Sequence, residues 1–285
     1  MRIVRRSIWG SSLQTNMLLN LPFEMVENTT LNEKFSIQAG IAPQQGQMPF
    51  VQYFSIGNGG HRNRTGADGS PFTTPIDHRP SDAALYNHLP FVLREQNNDL
   101  SPEQRQEYGL RREEEHNGTL YFAYYLKRIP LNAVDNVMRI TTVQDGVENT
   151  LPFNPTTSNL NPEPPDMPPE GVLPTNGSYL TTSAVLEVLF NAQDVDELVA
   201  VSEILFGNPY QAVVSEIGLC SGIDRVIQAP GPGNTTFNFK EAVAVQIVSF
   251  ITAYYAMAFA SEGFDFEIEM GATEPLVGEP DALNP

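Results

Sequence analysis

Alternation at period two dominates the chain. Phe264, Phe266, Ile268 and Met270 alternate with Asp265, Glu267 and Glu269, the mark of a strand with one wet face. Residues 179–190, YLTTSAVLEVLF, read as a long strand and residues 211–219, QAVVSEIGL, as another. Two hairpins show in their turns. Asn117-Gly118 joins 110–115 to 120–129, and Asp145-Gly146 joins 136–143 to 147–151. Both dipeptides accept positive φ at the two central positions, as a tight hairpin needs. A helical period holds over 194–206, where Val195, Leu198, Val199, Ser202 and Leu205 share a face. Asp194, Asp196 and Glu197 favour its positive end, and Gly207 supplies the stop. Shorter helices are expected at 81–88 and 101–107, each opened by a capping Ser, the second with Pro102 in its first turn. The expected fold class is therefore α+β and β-rich, with antiparallel, β-sandwich-like sheets, a few short helices and long loops.

The pattern breaks in three places. Residues 152–174 hold eight prolines in 23 residues, which neither ladder into a sheet nor continue a helix and favour extended polyproline geometry. They read as a linker or as a strap over a neighbour. The glycine- and proline-rich stretch 57–80 is too long for an ordinary connection and is expected to be a functional loop or one ordered only in an assembly. The tail 278–285 reads as frayed or partner-bound. The domains expected are a β-rich one over 1–151 with a helical insertion at 81–107, the strap at 152–174, and a β-sandwich-like one over 175–285 carrying the helix 194–206. Residues 242–260 form a 19-residue stretch without a charge, borderline for a membrane helix. Gln246, Ser249 and Thr252, with Val243, Val245 and Ile247 at period two, favour one buried strand or two.

Charge sharpens the picture. The net charge is −18 over 285 residues. Residues 1–140 hold 14 basic and 14 acidic side chains, whereas 141–285 hold only Arg225 and Lys240 against 20 acids. A phosphate-binding surface needs clustered bases. The clusters Arg2/Arg5/Arg6, Arg62/Arg64 and Arg111/Arg112 never grow into a stripe, so no nucleic-acid partner is expected. Halves of such different charge suit the steering of neighbouring subunits into one register. The single Cys excludes a disulfide framework and fits a reducing compartment. Residues 1–22 lack a continuous apolar run, so no signal peptide is expected, and the acceptor-like triplets at Asn28, Asn63, Asn117, Asn176 and Asn234 read as turns.

Candidate chemistry is sparse. Gly218-Leu-Cys-Ser-Gly222 places Cys220 where a nucleophile elbow would place its nucleophile, but the following residues run into Ala-Pro-Gly-Pro-Gly, so no helix can build the oxyanion hole. A buried Cys is the simpler reading. His61, His78, His88 and His116, with Asp68, Asp77 and Asp82, make no metal-ligand pair spacing and fall in loops. Glu113, Glu114 and Glu115 would alternate on a strand and cannot act as one carboxylate pair. The glycine-rich 56–60 lacks the Gly-Lys-Ser/Thr ending of a phosphate loop, and Tyr121, Phe122, Tyr124 and Tyr125 read as sheet core. No catalytic, cofactor-binding or metal residues, no cofactor and no enzymatic activity are expected.

Three stretches carry a resemblance: 81–97 (SDAALYNHLPFVLREQN), the strand–helix–strand of 179–224, and the β-rich stretch ending near Pro275. In order and texture they resemble baseplate wedge proteins of contractile-tailed bacteriophages. The resemblance implies a structural virion protein of the tail baseplate, made in the host cytoplasm. It also implies a homodimer whose partners are other tail proteins, with no membrane or nucleic-acid partner. The alternatives are a neck, collar or capsid-associated structural protein and a carbohydrate-binding or carbohydrate-active tail module, which the single Trp9 disfavours. A membrane-inserting protein using residues 242–260 is the remaining one.

Overall fold

A computed structural model of the chain describes residues 3–132, 134–161, 171, 175–230, 236–259 and 263–277. In chain order the elements are β1 (Ile3–Arg6), α1 (Ile8–Leu19), α2 (Leu31–Lys34), β2 (Phe50–Gly57), β3 (His61–Thr65), β4 (Pro71–Pro75), β5 (His88–Leu89) and β6 (Val92–Glu95). There follow α3 (Pro102–Arg105), β7 (Tyr108–His116), β8 (Thr119–Arg128), β9 (Asn136–Gln144), β10 (Val147–Pro152), α4 (Thr157–Leu160) and β11 (Thr175–Phe190). The last are α5 (Ala192–Phe206), β12 (Val213–Pro230), β13 (Thr236–Ala256) and β14 (Phe264–Val277). The protein is α+β and β-rich, and its sheets are antiparallel.

The chain folds as two compact units that do not follow the expected boundaries at 151 and 174. One comprises Met1–Ile129 and Leu189–Asp265, the other Pro130–Val188 and Phe266–Pro285. The proline-rich stretch is described only at its start, where α4 forms, and at residue 171; the rest of it and the tail 278–285 lie outside the described residues.

The first unit is built on an eight-stranded sheet in the order β1-β13-β12-β2-β8-β6, with β5 on β2 and β7 on β8. Its core is aromatic and aliphatic: Tyr53, Phe54, Phe91, Tyr124, Phe190, Leu198 and Phe250 are all sealed from solvent. At the β7–β8 turn Asn117 and Gly118 take positive φ, as their sequence requires. The helix α5 starts at a capping box in which Asn191 and Asp194 exchange side-chain and backbone hydrogen bonds, and it stops at left-handed Gly207. It is fixed to the sheet by buried Lys127, paired with Asp194, and by Arg94, which forks onto Glu197. Helix α3 carries the expected Ser101 cap with Gln104 closing the box.

Residues 242–259 form the end of one long strand, β13, and then a single 3-10 turn. Positive φ at Ala244 coincides with a shift of register against β12, a bulge that turns the strand. Asn32 closes the ladder there, donating to the Ala242 carbonyl (2.9 Å) and accepting from the Val245 amide (3.0 Å). Among the described residues no helix is long and apolar enough to cross a membrane.

Two expectations are corrected. Residues 81–88 form no helix but a run of turns ending in β5, because the amide hydrogens a helix would use are taken by side chains: Leu85 donates to His88, and Tyr86 and Asn87 donate to Glu216. Residues 57–80 are also not a bare loop. They contain the two-stranded sheet β3–β4, and Ile76 closes onto the Gly60 carbonyl at 2.9 Å.

The second unit is a four-stranded sheet in the order β10-β9-β11-β14, with Asp145 and Gly146 at positive φ in the β9–β10 turn. Pairing and alternation give it two distinct faces. One holds Met138, Ile140, Leu151, Leu180, Leu186 and Val188 with Asn136, Thr142 and Thr182; the other holds Arg139, Thr141, Thr150, Glu148, Ser183 and Glu187 with Val137, Val143, Tyr179 and Val185. Arg139 and Ser183 both reach Glu269 of β14, which places that acid on the second face.

Candidate functional site

Two of the candidate residues, His78 and Asp82, are drawn into one buried constellation around Glu216. Glu216, on β12, has no exposed surface. Its Oε1 accepts from the amides of Gly59 and Asn87, and its Oε2 from the Tyr86 amide and from His78 Nε2, all at 2.9 Å. The other ring nitrogen of His78 faces Asp82 at 3.3 Å, and the imidazole is stacked between Tyr86 and Phe250, centroids 4.3 and 4.1 Å away. Beside it the Gly60 amide donates to Ser215 Oγ (3.0 Å). A Cβ added at Gly59 or Gly60 would stand 2.6 Å from Tyr86 or 2.5 Å from the Ser215 carbonyl. Of the glycines of 57–60, Gly59 therefore does bring its amide onto a carboxylate, but that carboxylate is the protein's own Glu216.

This constellation holds the segment 57–88 onto the sheet rather than facing a substrate. Both nitrogens of His78 are committed and its side chain is fully enclosed. The same segment is tied to the start of the chain. Arg5 pairs with Asp77, Ile8 donates to the Pro80 carbonyl, and the Trp9 indole donates to the Asp82 carbonyl. Trp9 is thus a structural anchor, not a free stacking platform for a sugar.

The remaining candidates are dispersed. Cys220 lies in mid-strand on β12, wholly buried, with its thiol against the Gly218 carbonyl and Ser55. Burial pushes that thiol up to about 12, so it is no ready nucleophile. His88 accepts the Leu85 amide, and burial pushes it down to about 3. His61 packs edge-on against Tyr254 and is lowered by burial. His116 pairs with Glu114 at the β7–β8 hairpin end, where Tyr125 also donates to Glu114. Glu113 and Glu115 point the other way and are exposed. Asp68 caps its own turn through Ser70, whose hydrogen bonds lower it. Among the described residues no three of His, Cys, Asp and Glu come together as a metal would require. Phe122, Tyr124 and Tyr125 are buried in the sheet.

Open clefts lie in the first unit among the described residues. One, about 330 Å³ including open solvent, is bordered by Glu107, Asp194 and Glu197; the latter two acids are already engaged by Lys127 and Arg94. Another, about 200 Å³, is bordered by Arg105, Arg111, Phe239 and Glu241.

Among the described residues, one helix leaves apolar side chains uncovered. Helix α1, IWGSSLQTNMLL, has no charged residue, yet only Gly10 and Leu13 are buried in it. Gly10 allows the close approach, since a Cβ there would lie 2.6 Å from the Val248 carbonyl. On the outside Ile8 is 51% exposed, Leu18 84% and Leu19 60%, and the apolar run goes on through Leu21 and Val26. Next to it β1, paired only with β13, ends the sheet, with Val4 exposed. Exposed apolar side chains grouped on an uncharged helix mark a surface that is ordinarily covered, and sheet edges are ordinarily protected. Sequence reasoning missed α1, although Ser7, whose side chain accepts the Gly10 amide, was the signal.

Among known proteins, a family model described as "Family of unknown function (DUF7208)" matches residues 1–284. No curated protein and no solved structure matches the chain.

Proposed function

The chain belongs to the DUF7208 family of unknown function, and from its geometry we propose that it is a structural subunit that works through contact surfaces rather than by catalysis. The observation that carries this reading is α1: an uncharged helix whose outward Ile8, Leu18 and Leu19 lie beside an open sheet edge. Contiguous apolar surface of this kind marks interaction sites, and an edge strand offers unpaired amides and carbonyls to a neighbour. The sealed state of the His78–Glu216 constellation supports the same reading, because the best-organised polar groups of the first unit are used to hold a loop. The setting proposed is the tail baseplate of a contractile phage, from the resemblance of 81–97 and 179–224, with a homodimer and other tail proteins as the partners.

The test is the double substitution Leu18→Glu/Leu19→Glu. Both side chains are exposed, so the protein stays folded, with an unchanged circular dichroism spectrum. Incorporation into tails, or copurification with the products of neighbouring genes, is lost. A variant that still assembles as the wild type does would refute the role of α1. A wild-type chain that is found in no particle and binds no such product would refute the structural reading itself.

A further inference from the structure

The net charge of −18 conceals a place where cations converge. Arg225 and Lys240, the only bases after residue 141, sit on the two strands of the β12–β13 hairpin, where Arg225 is paired with Glu241 and Lys240 with Val226. Around them the fold gathers bases from the first half of the chain. Arg105, from α3, lies 4.2 Å over the Phe239 ring. Arg111, from β7, donates to Asp99 at 3.0 Å but keeps its Nε enclosed with no partner. On the other side Arg128, at the end of β8, and Lys240 both hold Asp224. Glu241 is raised by burial and drawn back by Arg105, by Gln38, which donates to it, and by Arg111 and Arg225. Five cations therefore share Asp99, Asp224 and Glu241.

Two of the five, Arg105 and the exposed Arg225, have no hydrogen-bond or ion-pair acceptor among the described residues. The Arg105 guanidinium is half-buried and borders the open cleft of about 200 Å³ with Arg111 and Glu241. A guanidinium fixed on an aromatic ring with its donors free is a preorganised receptor for a carboxylate. The same chain carries a matching surface. The second unit has one base, Arg139. The sheet face that Arg139 occupies presents exposed Glu148, Glu187, Glu267 and Glu269, and Arg139 is already engaged by Glu269.

We infer that the hairpin root around Arg105, Arg111 and Arg225 docks the acidic sheet face of a second copy of this chain, a head-to-tail contact. It rests on the structural-subunit reading above and names the partner and the surface. Charge selects the occupant: like faces of two copies repel, whereas unlike faces attract and set one register. Such a heterologous contact leaves a free surface at each end, so it is a contact in addition to that of the proposed homodimer and builds rings or open arrays.

The experiment is a charge swap read by sedimentation velocity on the full chain. The wild type associates as its concentration rises and dissociates in about 1 M salt, where the screening length falls to about 3 Å. Arg105→Glu/Arg225→Glu and Glu187→Lys/Glu267→Lys each weaken association about tenfold or more. Mixing the two variants restores it, because each then supplies the face the other lacks. All four positions reach solvent, and melting curves of each variant check folding. Association unaffected by either swap, a mixture no better than its components, a monomer at every concentration, or a salt effect without concentration dependence each overturns the inference. If both swaps leave association intact while Leu18→Glu/Leu19→Glu abolishes assembly, the structural reading stands and this surface does not.

Discussion

Replacing Glu216 by Gln changes one buried carboxylate to an amide of the same shape and tests whether it is the hub of segment 57–88. In the native protein the two oxygens accept three amides and one imidazole nitrogen. The amide keeps one acceptor oxygen, enough for Gly59 and Asn87, and turns its NH₂ toward the Tyr86 amide, donor against donor. An enclosed amide left without an acceptor costs about 1–3 kcal/mol, and two charge-assisted bonds that become neutral lose about 1 kcal/mol each. Relief from burying a charge offsets part of this, leaving a net loss of about 2–4 kcal/mol. For a unit of this size that lowers Tm by about 5–15 °C. The assay is thermal unfolding together with hydrogen exchange at Gly59, Tyr86 and Asn87, whose protection falls first at Tyr86. Glu113→Gln, exposed on β7, is the control and moves Tm by no more than about 1–2 °C. A Glu216→Gln protein that melts with the wild type and keeps all three amides protected would falsify the assignment.

Other expectations test separate parts of the fold. Lys127→Met leaves Asp194 enclosed without its cation and costs about 3 kcal/mol in urea unfolding; a loss under about 1 kcal/mol would mean that the Asn191 cap alone satisfies that carboxylate. His88 has a folded-state pKa depressed to about 3. Its share of stability is therefore present above the unfolded value of about 6.5 and is lost as pH falls toward 3, by at most about 1.4 kcal/mol per pH unit. Its NMR resonances stay flat between about pH 5 and 8, and an inflection near 6.5 in the folded protein would contradict the burial argument. Cys220, with its thiol held near 12, reacts with iodoacetamide at the rate of unfolding; prompt labelling of the native chain would show that β12 opens locally.

How much of this was legible depends on how far apart the cooperating residues are. The β7–β8 and β9–β10 hairpins, α3 and α5 follow from signals a few residues long: Asn117-Gly118, Asp145-Gly146, Ser101 with Pro102, and Asp194, Asp196 and Glu197 with Gly207. Helix α1 had a local signal too, in Ser7, but its polar Ser, Gln, Thr and Asn and its apolar residues do not separate into two faces, so no amphipathic period marks it. The segment 81–88 carries a helix start in Ser81 and still forms no helix, because its amides find a carboxylate 129 and 130 residues away. Glu216 itself sits in the strand pattern QAVVSEIGL, where an acid at that position looks like a wet face. It is instead enclosed. Only the segment folded over it supplies the donors that make a buried carboxylate tolerable.

Alone, the sequence determined the elements whose stabilising partners are near neighbours along the chain, the β-rich antiparallel class that they imply, and the segregation of charge toward the second half. The tertiary structure decided what those elements face. It passed the chain into a second unit and back, turned the glycine loop onto Glu216, left the uncharged α1 uncovered, and drew Arg105, Arg111 and Arg128 to the only two bases of the acidic half. The reason is range: turn and cap preferences act over a few bonds, whereas burial and pairing of charges depend on positions in space that no local stretch encodes.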